Sequence, residues 1–536
     1  MKTSSIALLV LLFHTILSLS ATFATPTSFH ENFLQCLSLH SDPSIPIYSP
    51  NSSSYESILQ FSVRNRRFST PTTPKPELII TALDESHVQA AVICSRKHGL
   101  HLITRSGGHD YEGLSYVSDV PFVIVDLLNL QSISVDAKKG TAWVQAGATI
   151  GQLYHNIAVK SRTYGFPAGI CPTVGIGGHF GGGGYGALLR KYGLAADNIV
   201  DARLVNVDGK ILDRKSMGED LFWAIRGGGG ASFGIVLSYK INLVHVPPVV
   251  TVFTFNKNLE EGATALVERW QYVADKLPQD LFLTILINVV NSTQRGERTV
   301  QASFRALFLG VVDKLIPIME QRFPELGLTH DNCTEMSWIQ SVLYFAGFPI
   351  NSSSDVLVDR TPANYLVTAS FKAKSDYVTE PISQTGLEGI WKMLLEENIP
   401  GLIFSPYGGR MSEISESAIP FPHRVGNIYD IHYSVAWIEK GLKASKEHIG
   451  WIRRLYRYVT PYVSKFPRSA YLNYRDLDLG QSKNGTASYS EAKEWGIKYF
   501  KNNFDRLVKV KSKVDPDNFF RNEQSIPTIP SWGKKN

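Results

Sequence analysis

Two short stretches restrict the fold of this chain more than any others: Thr104-Arg105-Ser106-Gly107-Gly108-His109 and Cys171-Pro172-Thr173-Val174-Gly175-Ile176-Gly177-Gly178-His179. Each sets a nucleophilic side chain, the imidazole of His109 or the thiol of Cys171, in a turn of glycines. Residues without Cβ let backbone N–H groups approach an anion closely and point at it without a cation. Two further glycine groups, 181–186 and 227–230, recur around the same predicted α/β unit. The run Gly181-Gly182-Gly183-Gly184-Tyr185-Gly186 also meets the spacing G-x-G-x-x-G. The segment leading into it from Ala168 is rich in Gly and Pro and is not a strand, so the context of a βαβ dinucleotide turn is missing. The four groups read better as the cradle of one pyrophosphate.

A chain of 536 residues exceeds what one core usually organises, so two or more lobes are expected. With 43% hydrophobic and 19% charged residues it is globular, and its net charge of +6 is spread too thinly to track a nucleic acid. Lys2, the apolar run 6–19 and the small residues Ala21 and Ala24 match a secretory signal peptide over 1–24. No other segment has the length of a membrane span. Sequons at Asn51, Asn291, Asn332, Asn351 and Asn484 are what a glycosylated export product would carry. Only four cysteines exist, at 36, 94, 171 and 333, and in an oxidising compartment they leave room for a disulfide. The histidines show no zinc-like spacing, so no metal is expected.

After an N-terminal segment, 25–72, the pattern reads strand (78–83), amphipathic helix (87–97), strand (102–104) and buried strand (122–128). A strand at 143–146 and a helix at 150–159 follow, then a hairpin at 199–213 turning on Asp208-Gly209, a helix at 219–226 and a strand at 235–244. The pair Pro247-Pro248 closes a first domain, 73–247. From 248 to 470, helices at 262–276 and 443–458 alternate with strands at 281–290, 299–308, 365–371 and 427–437, an antiparallel sheet backed by helices. A tail, 471–536, carries a helix at 489–508. The fold class is therefore α+β.

The two anchor motifs resemble the double covalent flavin attachment of the berberine bridge enzyme-like oxidases. The likeness extends through Tyr192-Gly193-Leu194-Ala195-Ala196-Asp197-Asn198, Asp220-Leu221-Phe222-Trp223-Ala224-Ile225-Arg226-Gly227 and Tyr471-Leu472-Asn473-Tyr474-Arg475-Asp476-Leu477-Asp478-Leu479-Gly480. It is similar in appearance to the branch holding the cannabinoid oxidocyclases. The resemblance implies a two-lobed FAD-binding domain of the vanillyl-alcohol-oxidase (PCMH) type and a substrate domain. It implies FAD attached at His109 and Cys171, with Arg105, Ser106, Gly107, Gly108, Thr173, Val174, Gly175, Gly178, His179, Val236 and Asn522 around it. It also pairs Cys36 with Cys94. Chemically, a neutral imidazole and a thiolate suit addition to an oxidised flavin ring.

The resemblance maps the catalytic base onto Tyr474 and brings Tyr185, Asp430 and His432 to the site. Strand alternation in 471–480 would put Leu472, Tyr474 and Asp476 on one face and Tyr471, Asn473 and Arg475 on the other. Asp430 and His432 depart from the lysine and glutamine of monolignol-oxidising members and from the glutamate and tryptophan of cannabinoid synthases, and Leu286 replaces a histidine of the latter. Val174 matches a position where valine goes with oxidases and leucine with dehydrogenases. The expectation is a secreted (apoplast or vacuole), monomeric FAD-dependent oxidase that takes hydride from a small phenolic or prenylated aromatic and passes electrons to O2, with or without ring closure. Two rivals are a flavin-containing pericyclase performing Diels–Alder additions and an oligosaccharide oxidase.

Overall fold

The computed structural model describes residues 29–42, 44–292, 296–361, 369–482 and 486–529. The expected signal peptide and the sequon at Asn484 lie outside them.

Three consecutive apolar strands, Leu78–Thr81, Phe122–Asp126 and His101–Arg105, pair in parallel in that spatial order, and Ile47–Tyr48 adds an antiparallel edge. Every residue of Leu78–Thr81 and Phe122–Asp126 is buried, as a sheet covered on both faces demands. One cover is the helix Glu85–Lys97, started by Asp84, whose carboxylate accepts from the backbone of Ser86 and His87, and ended by Arg96 and Lys97. Cys94 on this helix is bonded to Cys36 on the helix Phe29–His40. A second sheet of this domain is antiparallel, in the order Ile133–Asp136, Thr141–Gln145, Ile235–Asn242, Ile199–Val205, Ile211–Leu212. Its hairpin turns where Asp208-Gly209 predicted, with Val205 opposite Ile211 and Gly209 at φ 73°.

The second domain is built on one seven-stranded antiparallel sheet. Its central strands are Arg298–Phe308, Leu281–Asn291, Pro400–Pro406 and Tyr429–Trp437, with Ser370–Val378 at one edge. Alternate residues Tyr429, Ile431, Tyr433, Val435 and Trp437 join a core with Trp270, Trp391 and Trp451 from the helices Ala263–Gln271, Gln384–Leu394 and Leu442–Tyr458. The intervening Asp430 and His432 therefore project from the face without helices.

Four readings shift. The strand expected at 365–371 runs over Ser370–Val378, and 362–368 lie outside the described residues. The helix expected at 219–226 begins at Arg214, because Asp213 and Ser216 form a capping box, and Gly218 (φ 74°) kinks it. The helix at 489–508 is two helices, Tyr489–Phe500 and Phe504–Val514, parted at Lys501 (φ 44°). The segment 471–480 is not a strand: it coils into two short 3-10 turns, Leu472–Tyr474 and Leu477–Leu479. Its alternation of faces is therefore lost, and the rings of Tyr471 and Tyr474 meet edge to face, 5.0 Å apart.

Candidate active site

The strand His101–Arg105 delivers the first glycine turn at its C-terminal end. Arg105 is fully buried and its guanidinium is spent on Asp126 (2.6 and 2.9 Å) and on the carbonyls of Ile58 and Leu59. Its side chain thus pins the strand end. Ser106 Oγ donates to the Ala146 carbonyl at 2.6 Å. Gly108 has φ 68°, and a Cβ there would lie 1.9 Å from the Ser62 carbonyl oxygen, so no other residue fits without moving backbone. A Cβ on Gly107 would lie 2.4 Å from Gly175 N, so the two anchor turns touch directly.

That contact brings the anchors together. His109 Nε2 lies 3.0 Å from Thr173 Oγ1, and Cys171 Sγ lies 3.6 Å from the same oxygen. Burial, and then the charge of Arg64, press the His109 pKa down to about 3, which keeps the imidazole neutral and nucleophilic. Cys171 is exposed and unpaired. Val174 shares this turn and is half-buried; Gly178 is open, with nothing within 4 Å of a would-be Cβ. His179 Nε2 accepts from Gly169 N–H at 2.9 Å, and burial lowers its pKa to about 4. Val236 packs against the glycine group at 230, where a Cβ would come within 3.2 Å of it. Asn522 turns its side chain to Gln524 N.

Opposite stands a polar and aromatic wall. Tyr185 O–H donates to Asp430 Oδ2 at 2.9 Å, and its oxygen lies 2.8 Å from Tyr474 Oη. With the Tyr185 proton committed to the carboxylate, the Tyr474 hydroxyl is the donor of that second bond, which leaves a Tyr474 lone pair toward whatever lies against it. Asp430 is fully buried, its Oδ1 has no partner among the described residues, and burial pushes its pKa up to about 7. Burial also holds the Tyr185 and Tyr474 phenols far above their ordinary range. The His432 ring lies 4.3 Å from that of Tyr474, both its nitrogens are buried without partners among the described residues, and its pKa falls to about 4 for the same cause. Tyr111 lies parallel to Tyr474 (5.7 Å, 4°) and edge-on to Phe371 (5.3 Å). Leu286, opposite Ile403, which is opposite His432, belongs to the same row across the sheet.

Residues next in sequence to these aromatics hold the wall in place. Glu112 and Asp476 both bond the buried Lys372, Asp476 and Asp478 both bond Lys374, and Arg475 pairs with Asp110 at 2.9 Å. Three segments distant in sequence are joined there. Tyr111 beside His109 was within reach of a sequence reading, since the anchor loop continues into it. Arg64, 8% exposed, and Arg360 carried no such signal, yet Arg64 donates toward the Gly107 and Arg360 carbonyls, and among the described residues neither guanidinium has an ion pair. Paired glycine turns, a neutral imidazole near a thiol, and two guanidiniums that bond only carbonyls among the described residues fit an anionic dinucleotide attached at its ring end.

Such a cradle facing a tyrosine–carboxylate wall defines an FAD-linked oxidoreductase. Residues 76–214 match the FAD binding domain family and 470–527 the berberine and berberine-like family. The chain is 57% identical to a tetrahydroberberine oxidase of Berberis wilsoniae (96% of this chain, 97% of the relative). It is 52% identical to a monolignol oxidoreductase of Arabidopsis thaliana (96% of each). Among solved structures, a berberine bridge enzyme-like protein of Arabidopsis thaliana superposes with TM-score 0.87 at 48% identity, covering 93% of this chain and 100% of that one. The grass pollen allergen Phl p 4, described as having glucose dehydrogenase activity, gives 0.87 at 45% identity (93% and 99%). The chain belongs to the berberine bridge enzyme-like family. It is a plant-type FAD oxidase with the two-domain PCMH fold, bearing the Cys36–Cys94 disulfide that the family resemblance implied.

Proposed function

We propose that this enzyme oxidises a small aromatic molecule by hydride abstraction, with the proton leaving through Tyr474 and Tyr185 to Asp430. The observation that carries the reading is the continuous hydrogen-bonded chain from Tyr474 Oη to the Asp430 carboxylate. Tyr474, held as a neutral phenol, is a poor base alone. Passing its own proton to Tyr185 as it accepts the substrate's lets Asp430, near pKa 7, act as the terminal base. Tyr111, Phe371 and His432 offer ring faces and edges against which an aromatic substrate stacks. FAD, which His109 and Cys171 would hold, would supply the hydride acceptor and the route for electrons to O2, with hydrogen peroxide as the reduced product. Val174 supports the oxidase assignment, since it matches a family position where valine goes with oxidases; the similar pollen allergen is described as a glucose dehydrogenase in its wild type and as a glucose oxidase in an isoleucine-to-valine variant. The relatives named for a tetrahydroberberine and for monolignols support the aromatic class.

The same allergen favours one second reading, an oligosaccharide oxidase. Export of a glycosylated monomer rests on the leader and sequons. The domain limits at 72, 247 and 470 belong to this reading. A panel of phenols, amines, alcohols and sugars, scored for anaerobic bleaching of the flavin and then for peroxide on adding air, tests it. Bleaching by aromatics is the expected result; bleaching by sugars alone selects the second reading. Product formation without bleaching or peroxide would overturn both in favour of a pericyclic reaction.

A further inference from the structure

At the opposite end of the strand that delivers the histidine loop lies a second cavity, of about 470 Å³, lined by Glu77, His98, His101, Val120, Pro121 and Arg521 together with the 99–100 backbone turn. His101 opens the strand His101–Arg105 and Arg105 closes it, so this cavity and the cofactor loop are separated by about 13 Å of strand. It is of ligand size and no part of the redox site uses it. Its walls are chemically specific. His101 is 4% exposed, yet among the described residues its Nδ1 has no partner. Among the same residues Arg521 makes one weak bond, Nη1 to the Asn518 carbonyl at 3.4 Å, and its Nε has none. A half-buried guanidinium and a buried imidazole nitrogen left unsatisfied on the walls of one cavity carry a desolvation cost that a bound acceptor would relieve. Both groups line this one cavity.

We propose that this cavity binds a small hydroxycarboxylate. The guanidinium of Arg521 takes the carboxylate as a paired acceptor, His101 Nδ1 supplies a further hydrogen bond, and the Glu77 carboxylate across the cavity accepts from the ligand's hydroxyl. Val120, Pro121 and Leu100 form the apolar floor against which its carbon chain lies. The site is independent of the reaction assigned above, since none of its residues belongs to the flavin cradle or the tyrosine wall.

Isothermal titration of the flavin-loaded protein with 2-hydroxybutyrate tests it, with inorganic phosphate as the comparison ion. Saturable hydroxybutyrate binding is expected, weakened tenfold or more in Arg521→Gln, and abolished in Val120→Phe, which fills the cavity without removing a polar group. Phosphate should bind at least tenfold less tightly, having no carbon chain for the floor. Flavin content and anaerobic bleaching should be unchanged in both variants, which confirms that they fold. No saturable binding of 2-hydroxybutyrate, binding that survives both substitutions, or phosphate binding equal to that of the hydroxy acid would overturn the proposal.

Discussion

The cofactor side and the substrate side of this site are held by opposite means. Around His109 and Cys171 the fixing elements are backbone: glycines so tightly apposed that a Cβ at 107 or 175 would sit within 2.4 Å of a neighbouring atom. Around Tyr474 they are charges and rings from far apart in the chain, Lys372, Glu112 and Asp476 buried together and Tyr111 stacked on Tyr474. A backbone cradle tolerates change in the side chains beyond it, whereas a buried charge network loses its balance when one member goes. The chemistry of attachment is thereby insulated from variation in the chemistry of turnover.

The sharpest break of that contrast is chemical. In a His109→Ala/Cys171→Ala double variant, acid-precipitated protein should lose all attached flavin, with each single variant retaining one bond, as read by mass spectrometry. On the other side, Tyr474→Phe should keep the flavin attached and slow anaerobic bleaching about 10²- to 10⁴-fold, the range of a lost general base. Attached flavin with unslowed bleaching removes Tyr474 from the proton path. Asp430→Asn sharpens the same side through pH. Because Asp430 accepts only when ionised, bleaching in the wild type should rise with pH through about 7, and the asparagine variant should be flat. The linked stability has the opposite sense. A carboxyl whose folded pKa is raised destabilises the fold progressively as pH climbs from its ordinary value of 3.8 through about 7, and Asp430→Asn should abolish that slope in chemical denaturation.

Lys372→Met leaves Glu112 and Asp476 buried without their shared cation, and a cost of about 3–5 kcal/mol is expected from urea titration. Cys36→Ser opens a link spanning 58 residues and should cost about 2–4 kcal/mol in the same assay while leaving bleaching rates intact. A loss of bleaching in Cys36→Ser equal to that in Lys372→Met would erase the distinction between the two sides.

The contrast also explains what the sequence disclosed. Backbone devices write themselves locally: glycine turns, the Asp208-Gly209 hairpin and the apolar runs of the parallel strands were readable where they stand. The alternation of Asp430 and His432 with the core residues 429, 431 and 433 was equally local. In the stretch 471–480 the period-two pattern favours a strand, while Asp476 capping the second turn and Tyr471 reaching Gly184 N–H at 2.8 Å coil it instead. Arg64, Arg360, Lys372 and Lys374 left no trace in the sequence, since their meaning arises only when segments hundreds of residues apart meet.

The late position of Asp476 has a bearing on biosynthesis. Until the ribosome has extruded nearly nine-tenths of the polypeptide, Lys374 awaits its counterions and Lys372 has only Glu112, and the phenol that pairs with Tyr185 does not yet exist. A nascent chain could already fold the glycine cradle. Maturation is thus ordered by translation itself: the pocket for the prosthetic group can form first, and the machinery that would put it to work is completed last.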